Sequence, residues 1–322
     1  MTRPEILMPD RMPNGIERAL DAQFTVHRLY EHGDRKAALS ALGSRLRAIA
    51  AAGRVDAALI DTLPHLEIIA SFGVGYDNVD ARHAAAKGII VTNTPDVLTE
   101  EVADTALGLL LMTVREFSAA ERYLRAGHWP SAPYPLTRGT LRDRTVGIVG
   151  LGRIGKAIAR RLEAFGVPVV YHNRRPQADV GFRYYDDLVA MARDVDTLVS
   201  VLPGGAATEK LIGEAVFEAL GARGIIINIG RGTVIDEAAL IKALAEKRIA
   251  AAGLDVFEKE PQVPVELIAL DNAVLLPHVG SASVYTRDAM GQRVVDNLVA
   301  FAEGRAPISP VAETPFTAWR PR

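Results

Sequence analysis

The chain has no cysteine. That excludes disulfide bridges, thiolate nucleophiles and thiolate metal sites, and no metal centre is expected. Neither sign of charge prevails: 37 Lys and Arg against 39 Asp and Glu leave a formal net charge of −2, with no block of like charges. Nucleic acid and anionic membranes are therefore not expected partners. Long apolar runs are missing too. The stretch Leu107 to Val114 is among the longest, far below the roughly 20 residues that span a bilayer. Met1 to Asp10 carries no apolar segment of signal-peptide length. There is no internal repeat and no low-complexity tract. What remains is a chain of 322 residues, 49% hydrophobic and 24% charged, suited to two globular domains and, by default, to a cytoplasmic enzyme.

One stretch organises the rest. Thr145-Val-Gly-Ile-Val149 is a short β-branched run, followed by Gly150-Leu-Gly152-Arg153-Ile154-Gly155 and then by Ile158, Leu162 and Phe165 at helical spacing. Strand, glycine turn and helix form the context in which Gly-x-Gly-x-x-Gly binds a dinucleotide. Gly150 permits the tight turn, Gly152 lets the backbone approach a pyrophosphate, and Gly155 lets helix and strand pack closely. The helix N-terminus offers N–H groups and the positive end of its dipole to the phosphates. The motif stands mid-chain, so a separate domain precedes it.

Taken in order, residues 6–8, 24–29, 67–72 and 89–92 read as strands. Segments 13–23 and 79–87 read as helices, an alternation that implies a parallel sheet with crossover helices. Strand 67–72 runs into Gly73-Val74-Gly75-Tyr76-Asp77-Asn78, a turn at the edge where open α/β sheets bind ligands. Asp96 to Arg125 reads as one long helix leading from the first domain into the second. Residues 126–140 hold Gly, Pro, Trp129 and Tyr134 and read as an extended arm that can reach a partner subunit. In the second domain strands are expected at 145–149, 167–171, 196–202, 224–229, 250–256 and 273–276. Helices are expected at about 155–165, 209–221 and 236–247, and a closing helix at 283–303 returns the chain to the first domain. The tail from Arg305 is irregular. The fold class is α/β, with two flavodoxin-like or Rossmann-like domains: 1–98 with 289–322 for substrate, 99–288 for the dinucleotide.

Three ionisable residues follow three successive strands: Arg231, Glu260 and His278. In a doubly wound sheet those positions converge beside the nicotinamide. Reduction of a 2-keto acid needs a cation for the carboxylate, a proton donor for the carbonyl oxygen and a hydride. Arg231 offers a planar fork to the carboxylate, and His278 can donate and reclaim a proton near neutral pH. Glu260 can orient the ring and favour its charged form. Backbone N–H groups of Gly73-Val74-Gly75 can meet the substrate carboxylate. The second strand ends in Tyr171-His172-Asn173-Arg174-Arg175, where NAD-binding domains place an acid roughly 20 residues past the fingerprint. No acid stands there, and two guanidinium forks match a phosphate. NADPH is thus expected over NADH, held at the 2′-phosphate by Arg174 and Arg175, with Asn173 helping at the ribose.

The motifs Gly73-Val-Gly-Tyr-Asp-Asn78, Gly150-Leu-Gly-Arg-Ile-Gly155, Asn228-Ile-Gly-Arg231-Gly, Gly253-Leu-Asp255-Val-Phe-Glu-x-Glu260-Pro and Pro277-His278-Val-Gly-Ser281 together resemble the D-isomer-specific 2-hydroxyacid dehydrogenase family over essentially the whole chain. Within it the chain looks most like NADPH-dependent glyoxylate/hydroxypyruvate reductases. The resemblance implies an active site between the two domains, an Arg231/Glu260/His278 triad and Asp255 near the nicotinamide amide. It extends the cofactor set to Thr105, Leu202, Pro203, Thr208, Ile229, Gly230 and Gly280, and implies a homodimer built on the cofactor domains. Substrate choice is expected to lie in loops and in Leu98, Trp129 and Tyr134. Formate dehydrogenases share the fold but by family pattern carry Gln at the place of Glu260. The dehydrogenases of L-hydroxy acids open with the glycine fingerprint near the N-terminus. Two other readings stay open: a hydroxyphenylpyruvate-type reductase, and a dinucleotide-sensing binding protein on the same fold.

Overall fold

The computed structural model describes residues 3–137 and 139–317. Arg138, within the expected arm, and residues 318–322, within the expected tail, lie outside the described residues. Residues up to Leu98 and from Ser283 form one compact unit, and Thr99–Ala282 form a second.

The first unit contains strands β1 (Glu5–Met8), β2 (Thr25–Arg28), β3 (Ala48–Ala51), β4 (Ile68–Ser71) and β5 (Ile90–Thr92). They form a parallel sheet in the order β2-β1-β3-β4-β5, the flavodoxin-like order. Successive side chains point to opposite faces. Ile6, Met8, Ala50 and Ile68 pack with Ile16, Leu20, Val294 and Leu298 on one side. Leu7, Ile49, Ile69 and Val91 pack with Leu46, Ile60, Leu63 and Val79 on the other. Burial on both faces is why these strands read as unbroken apolar runs. Strand β3 escapes the sequence pattern, because Ala-Ile-Ala-Ala has little of the β-branched and aromatic content that marks strands. It is nonetheless fully buried between β1 and β4.

The closing helix, Val284–Ala302, belongs to this unit, and Ser283 caps it by accepting the Thr286 N–H at 3.1 Å. The chain thus leaves the second unit at Ser283, ahead of position 289. The segment beyond the helix is irregular but tied to β5: Val311 N–H bonds Val91 O at 2.9 Å, and Asn93 N–H bonds Ser309 O at 3.2 Å.

The second unit contains β6 (Val146–Val149), β7 (Val169–His172), β8 (Arg183–Tyr185), β9 (Thr197–Ser200), β10 (Ile225–Asn228), β11 (Ala251–Leu254) and β12 (Ala273–Leu275). All pair in parallel in the order β12-β11-β10-β9-β6-β7-β8. Strand order reverses between β6 and β9, and ligands bind at such a switch point, outside the carboxyl ends of the strands. Strand β8 was not expected. It is three residues long and partly exposed at the sheet edge, where short polar strands are tolerated.

The single helix expected over 96–125 is two helices, Thr99–Val114 and Phe117–Arg125. Glu116 between them has φ 53° and Asp96 before them has φ 72°, left-handed conformations that a right-handed helix cannot contain. The first of the two packs against Arg153–Ala164, where Arg161 pairs with Glu100 at 2.9 Å and Asp104 at 2.7 Å.

Gly291 sits where the closing helix crosses helix Asn14–Gln23, and a Cβ there would run into the Ile16 side chain. Gly291→Ala should gain about 1 kcal/mol in helix propensity but lose about 1–3 kcal/mol to overpacking. Net destabilisation is expected in urea unfolding, turning into stabilisation in an Ile16→Ala background. Equal effects in both backgrounds would contradict the contact.

Candidate active site

Strand β6 delivers the chain to Gly150, whose φ of 103° needs glycine. A Cβ at Gly155 would strike the Gly150 carbonyl, so this glycine lets the helix start tight against the strand. Gly152 is different. Its φ is −87°, it adjoins the helix as N-cap without a side-chain cap bond, and a Cβ there would meet nothing within 4 Å. Neither conformation nor internal packing requires glycine at 152. An uncapped helix N-terminus with open space before it suits a diphosphate, and the residues fit a dinucleotide. Leu202 lies against Gly150 from the other side of the switch point. Pro203 O accepts the Thr208 hydroxyl at 2.7 Å, closing the turn after β9. Ile154 is half-buried on the helix's first turn.

The Asn173 side chain does not point away from this loop. Its Oδ1 accepts the Leu151 N–H at 2.7 Å, which orients the amide and leaves both Nδ2 donors unused among the described residues. Arg174 and Arg175 follow, both exposed, and neither bonds nor pairs with a described residue. Arg153 is exposed at the same rim.

Of the three expected catalytic residues, His278 and Glu260 touch, and the Arg231 charge lies near enough to act on Glu260, while Arg231 Nη1 donates to Gly230 O at 2.9 Å. His278 Nδ1 lies 2.6 Å from Glu260 Oε2, and Glu260 Oε1 accepts the Phe257 N–H at 3.0 Å. A carboxylate only accepts, so Nδ1 carries a proton and Nε2 is the atom left for a ligand. Burial pushes the Glu260 carboxyl upward, but the bonds from His278 and Phe257 and the nearby Arg231 charge outweigh it, and its pKa is lowered. The Glu260 carboxylate therefore keeps its negative charge below the ordinary glutamate range. A cavity of about 300 Å³ opens beside it, walled by Phe257, Pro261, Val263, Leu275 and Pro277.

Glycines make this convergence possible. A Cβ at Gly232 would run into the Phe257 carbonyl, and one at Gly230 would sit 2.5 Å from the Leu202 oxygen. The ends of β9, β10 and β11 thus touch backbone to backbone. Asn228, fully buried, shapes the Arg231 turn: its Nδ2 donates to Arg231 O at 2.9 Å and its Oδ1 accepts the Gly230 N–H at 3.1 Å.

His278 has φ 53°, a left-handed conformation that costs a non-glycine residue about 1–3 kcal/mol and persists only where neighbours hold it. Asp255 holds it. The Asp255 carbonyl accepts the His278 N–H at 2.9 Å, and its carboxylate accepts Val279 N–H at 2.7 Å and Gly280 N–H at 2.8 Å. Burial raises the Asp255 pKa against these two bonds, which favour the ion. Gly280 O also accepts the Thr105 hydroxyl at 3.3 Å, and the buried Ile229 backs Gly280. The anchoring roles of Asp255 and Asn228 escaped sequence reasoning. The available signal was a polar residue at the end of an otherwise apolar strand.

In the first unit, the loop after β4 has its carbonyls tied inward. Gly73 O accepts Thr94 N–H at 2.9 Å, Val74 O accepts Asn93 Nδ2 at 2.8 Å and Tyr76 O accepts Val79 N–H at 2.9 Å. The Val74 and Gly75 N–H groups have no partner among the described residues. Successive free N–H groups form an anion-binding concavity. Of the residues expected to set substrate choice, Leu98 is buried, Trp129 is 65% exposed, and the Tyr134 hydroxyl donates to Glu116 at 3.1 Å.

Comparison with known proteins bears on this geometry. Residues 107–280 match the D-isomer specific 2-hydroxyacid dehydrogenase, NAD binding domain. The chain is 46% identical over 308 residues to glyoxylate/hydroxypyruvate reductase A of Arabidopsis thaliana, covering 95% of this chain and 98% of that one. It is 43% identical over 308 residues to hydroxyphenylpyruvate reductase of Plectranthus scutellarioides, with coverage of 95% and 98%. Among solved structures, the NADPH-dependent glyoxylate/hydroxypyruvate reductase of Sinorhizobium meliloti, in complex with NADP and malonate, aligns with a TM-score of 0.94 at 52% identity, covering 99% of this chain and 100% of that one. With its fingerprint loop, its His–Glu pair and these relatives, the chain belongs to the D-isomer-specific 2-hydroxyacid dehydrogenase family.

Proposed function

We propose that this protein reduces small 2-keto acids, glyoxylate and hydroxypyruvate foremost, to the D-2-hydroxy acids with NADPH. The observation that carries the reading is the His278–Glu260 pair at 2.6 Å, set at the strand ends with Arg231, in the same unit as an uncapped Gly150–Gly155 loop. The bound cofactor supplies the hydride. Arg231 supplies the cation for the keto acid, pairing with its carboxylate and polarising the carbonyl oxygen. His278 Nε2–H donates the proton that the alkoxide needs, and Glu260 orients the ring through Nδ1. The Val74 and Gly75 N–H groups are assigned to the carboxylate. A complete acid–base pair argues for turnover rather than dinucleotide sensing. The 43% identity to a hydroxyphenylpyruvate reductase favours a second reading of the substrate, an aromatic 2-keto acid.

Three groups at the end of β7 support NADPH. Asn173 engages its oxygen with Leu151 N–H, its two Nδ2 donors suit the acceptor oxygens of a 2′-phosphate, and Arg174 and Arg175 beside it have no partner among the described residues. The test is a rate panel of glyoxylate, hydroxypyruvate, pyruvate and phenylpyruvate with each cofactor, run on the parent and on Arg174→Ala/Arg175→Ala. Losing charge-assisted contacts of about 1.5–3 kcal/mol corresponds to a roughly tenfold to hundredfold rise in the NADPH KM, with the NADH value nearly unchanged. A parent that favours NADH, or a double variant that loses both cofactors alike, would refute the assignment.

Glu260→Gln keeps the shape of the pair and removes its charge. The carboxylate is ionised throughout the neutral range, so the variant loses the anion that accepts the bond from His278 Nδ1 there. The kcat for reduction should fall by about 10² or more, while the NADPH Kd stays put. A kcat close to that of the parent would separate Glu260 from the proton transfer.

The homodimer rests on the arm. Trp129 and Leu136 are 65% and 97% exposed, and Phe117 and Leu124 on the preceding helix are exposed as well. Large apolar residues of this kind mark interfaces. Light scattering at micromolar concentration should give twice the chain mass, falling to one chain for Trp129→Ser/Leu136→Asp. A monomeric parent would end this reading.

A further inference from the structure

The loop assigned to the substrate carboxylate is not self-supporting. Its Val74–Gly75 peptide offers N–H on one side only because the Val74 carbonyl is held on the other. The holder is the Asn93 side chain, which donates from Nδ2 at 2.8 Å. Thr94 N–H holds Gly73 O in the same way at 2.9 Å. A glycine-flanked peptide has little conformational preference of its own, so its orientation depends on these two bonds.

Asn93 is in turn gripped by a segment more than two hundred residues away in sequence. The Ser309 hydroxyl donates to Asn93 O at 2.7 Å, and Asn93 N–H donates to Ser309 O at 3.2 Å. Ser309 is buried, and so is Asn297 on the closing helix. Asn297 Nδ2 donates to the Ser309 hydroxyl at 3.0 Å, and its Oδ1 accepts Ile308 N–H at 2.8 Å and Ser309 N–H at 3.2 Å. The segment makes a second contact with the loop, where the Tyr76 hydroxyl donates to Glu313 at 2.9 Å. A buried amide whose oxygen and nitrogen are both used admits one orientation, so the chain Asn297–Ser309–Asn93–Val74 has a single polarity from helix to loop.

We infer that Asn93 is a positioning residue for substrate binding: it fixes the Val74–Gly75 peptide so that the Gly75 N–H faces the keto-acid carboxylate beside the Val74 N–H, and Ser309 with Asn297 holds it there. The inference rests on the assignment of that loop to the carboxylate. It makes the segment after the closing helix a determinant of substrate affinity although no residue in it is assigned to substrate or cofactor.

The test uses the full-length enzyme and its variants, with glyoxylate as substrate and malonate as a dicarboxylate inhibitor. Asn93→Ala and Ser309→Ala should raise the glyoxylate KM and the malonate Ki in parallel. About tenfold is expected for Asn93→Ala, the worth of one lost bond, and less for Ser309→Ala. The kcat should stay within about twofold, and the NADPH Kd from nicotinamide fluorescence should not move. Gly75→Pro deletes one of the assigned N–H groups and reports on the loop itself. If Gly75→Pro raises KM while Asn93→Ala does not, the positioning role is wrong and the loop assignment stands. If Gly75→Pro binds NADPH normally and leaves KM and Ki unchanged, the loop assignment falls and this inference with it. An effect of Asn93→Ala with none from Ser309→Ala would make Asn93 act alone and overturn the relay. Equal losses in kcat, KM and NADPH binding would reduce the chain to general stability. Ser309→Thr, which restores the hydroxyl, should recover most of the lost affinity.

Discussion

The site in the second unit depends on one buried carboxylate. Asp255 takes the N–H groups of three consecutive residues, one on its carbonyl and two on its side chain. Those bonds hold His278 in a left-handed conformation that it would not adopt alone. Removing a buried anion from its water costs several kcal/mol unless hydrogen bonds replace the solvent, and here the backbone N–H groups of Val279 and Gly280 supply them. The bonding of the buried Asp255 and the backbone conformation of His278 are therefore the same interaction seen from two sides.

Glu260 completes the pair under the opposite balance. Burial opposes its charge as it does for Asp255, yet a short bond from His278, the Phe257 N–H and the Arg231 field prevail, and the carboxylate stays ionised. Two acids five residues apart in the loop after β11 thus act differently, Asp255 by shaping the backbone and Glu260 by accepting the bond from His278 Nδ1. The close approach of the loops is a matter of missing methyl groups. Gly230 and Gly232 sit where a Cβ would meet main-chain oxygen or carbon, and backbone cannot yield as a flexible side chain can.

The same device separates structural from ligand glycines in the nucleotide loop. Gly150 is needed for its φ and Gly155 for its contact with the Gly150 carbonyl, whereas Gly152 faces open space. In the first unit the glycine-bounded loop after β4 obtains its order from elsewhere, through Asn93 and the segment beyond the closing helix. Preorganised N–H groups are effective because their orientation is settled before the ligand arrives.

Sequence by itself determined the class of fold and the place of the candidate residues at strand ends. Parallel strands buried on both faces are written as apolar runs, and their carboxyl ends as turns, so Gly150–Gly155, Arg231, Glu260 and His278 could be placed at strand ends without coordinates. It did not reveal β3, whose alanines carry no strand signature, or β8, which is short and polar. It also joined two helices across Glu116, because a break made by backbone conformation at a charged residue leaves no apolar trace. Only the tertiary structure decided what holds those residues in place. Asp255 to Val279, Asn228 to Gly230 and Ser309 to Asn93 are bonds between backbone and side chain, the last from a distant segment. Such bonds depend on where the chain returns, and periodicity records only which face of an element is dry.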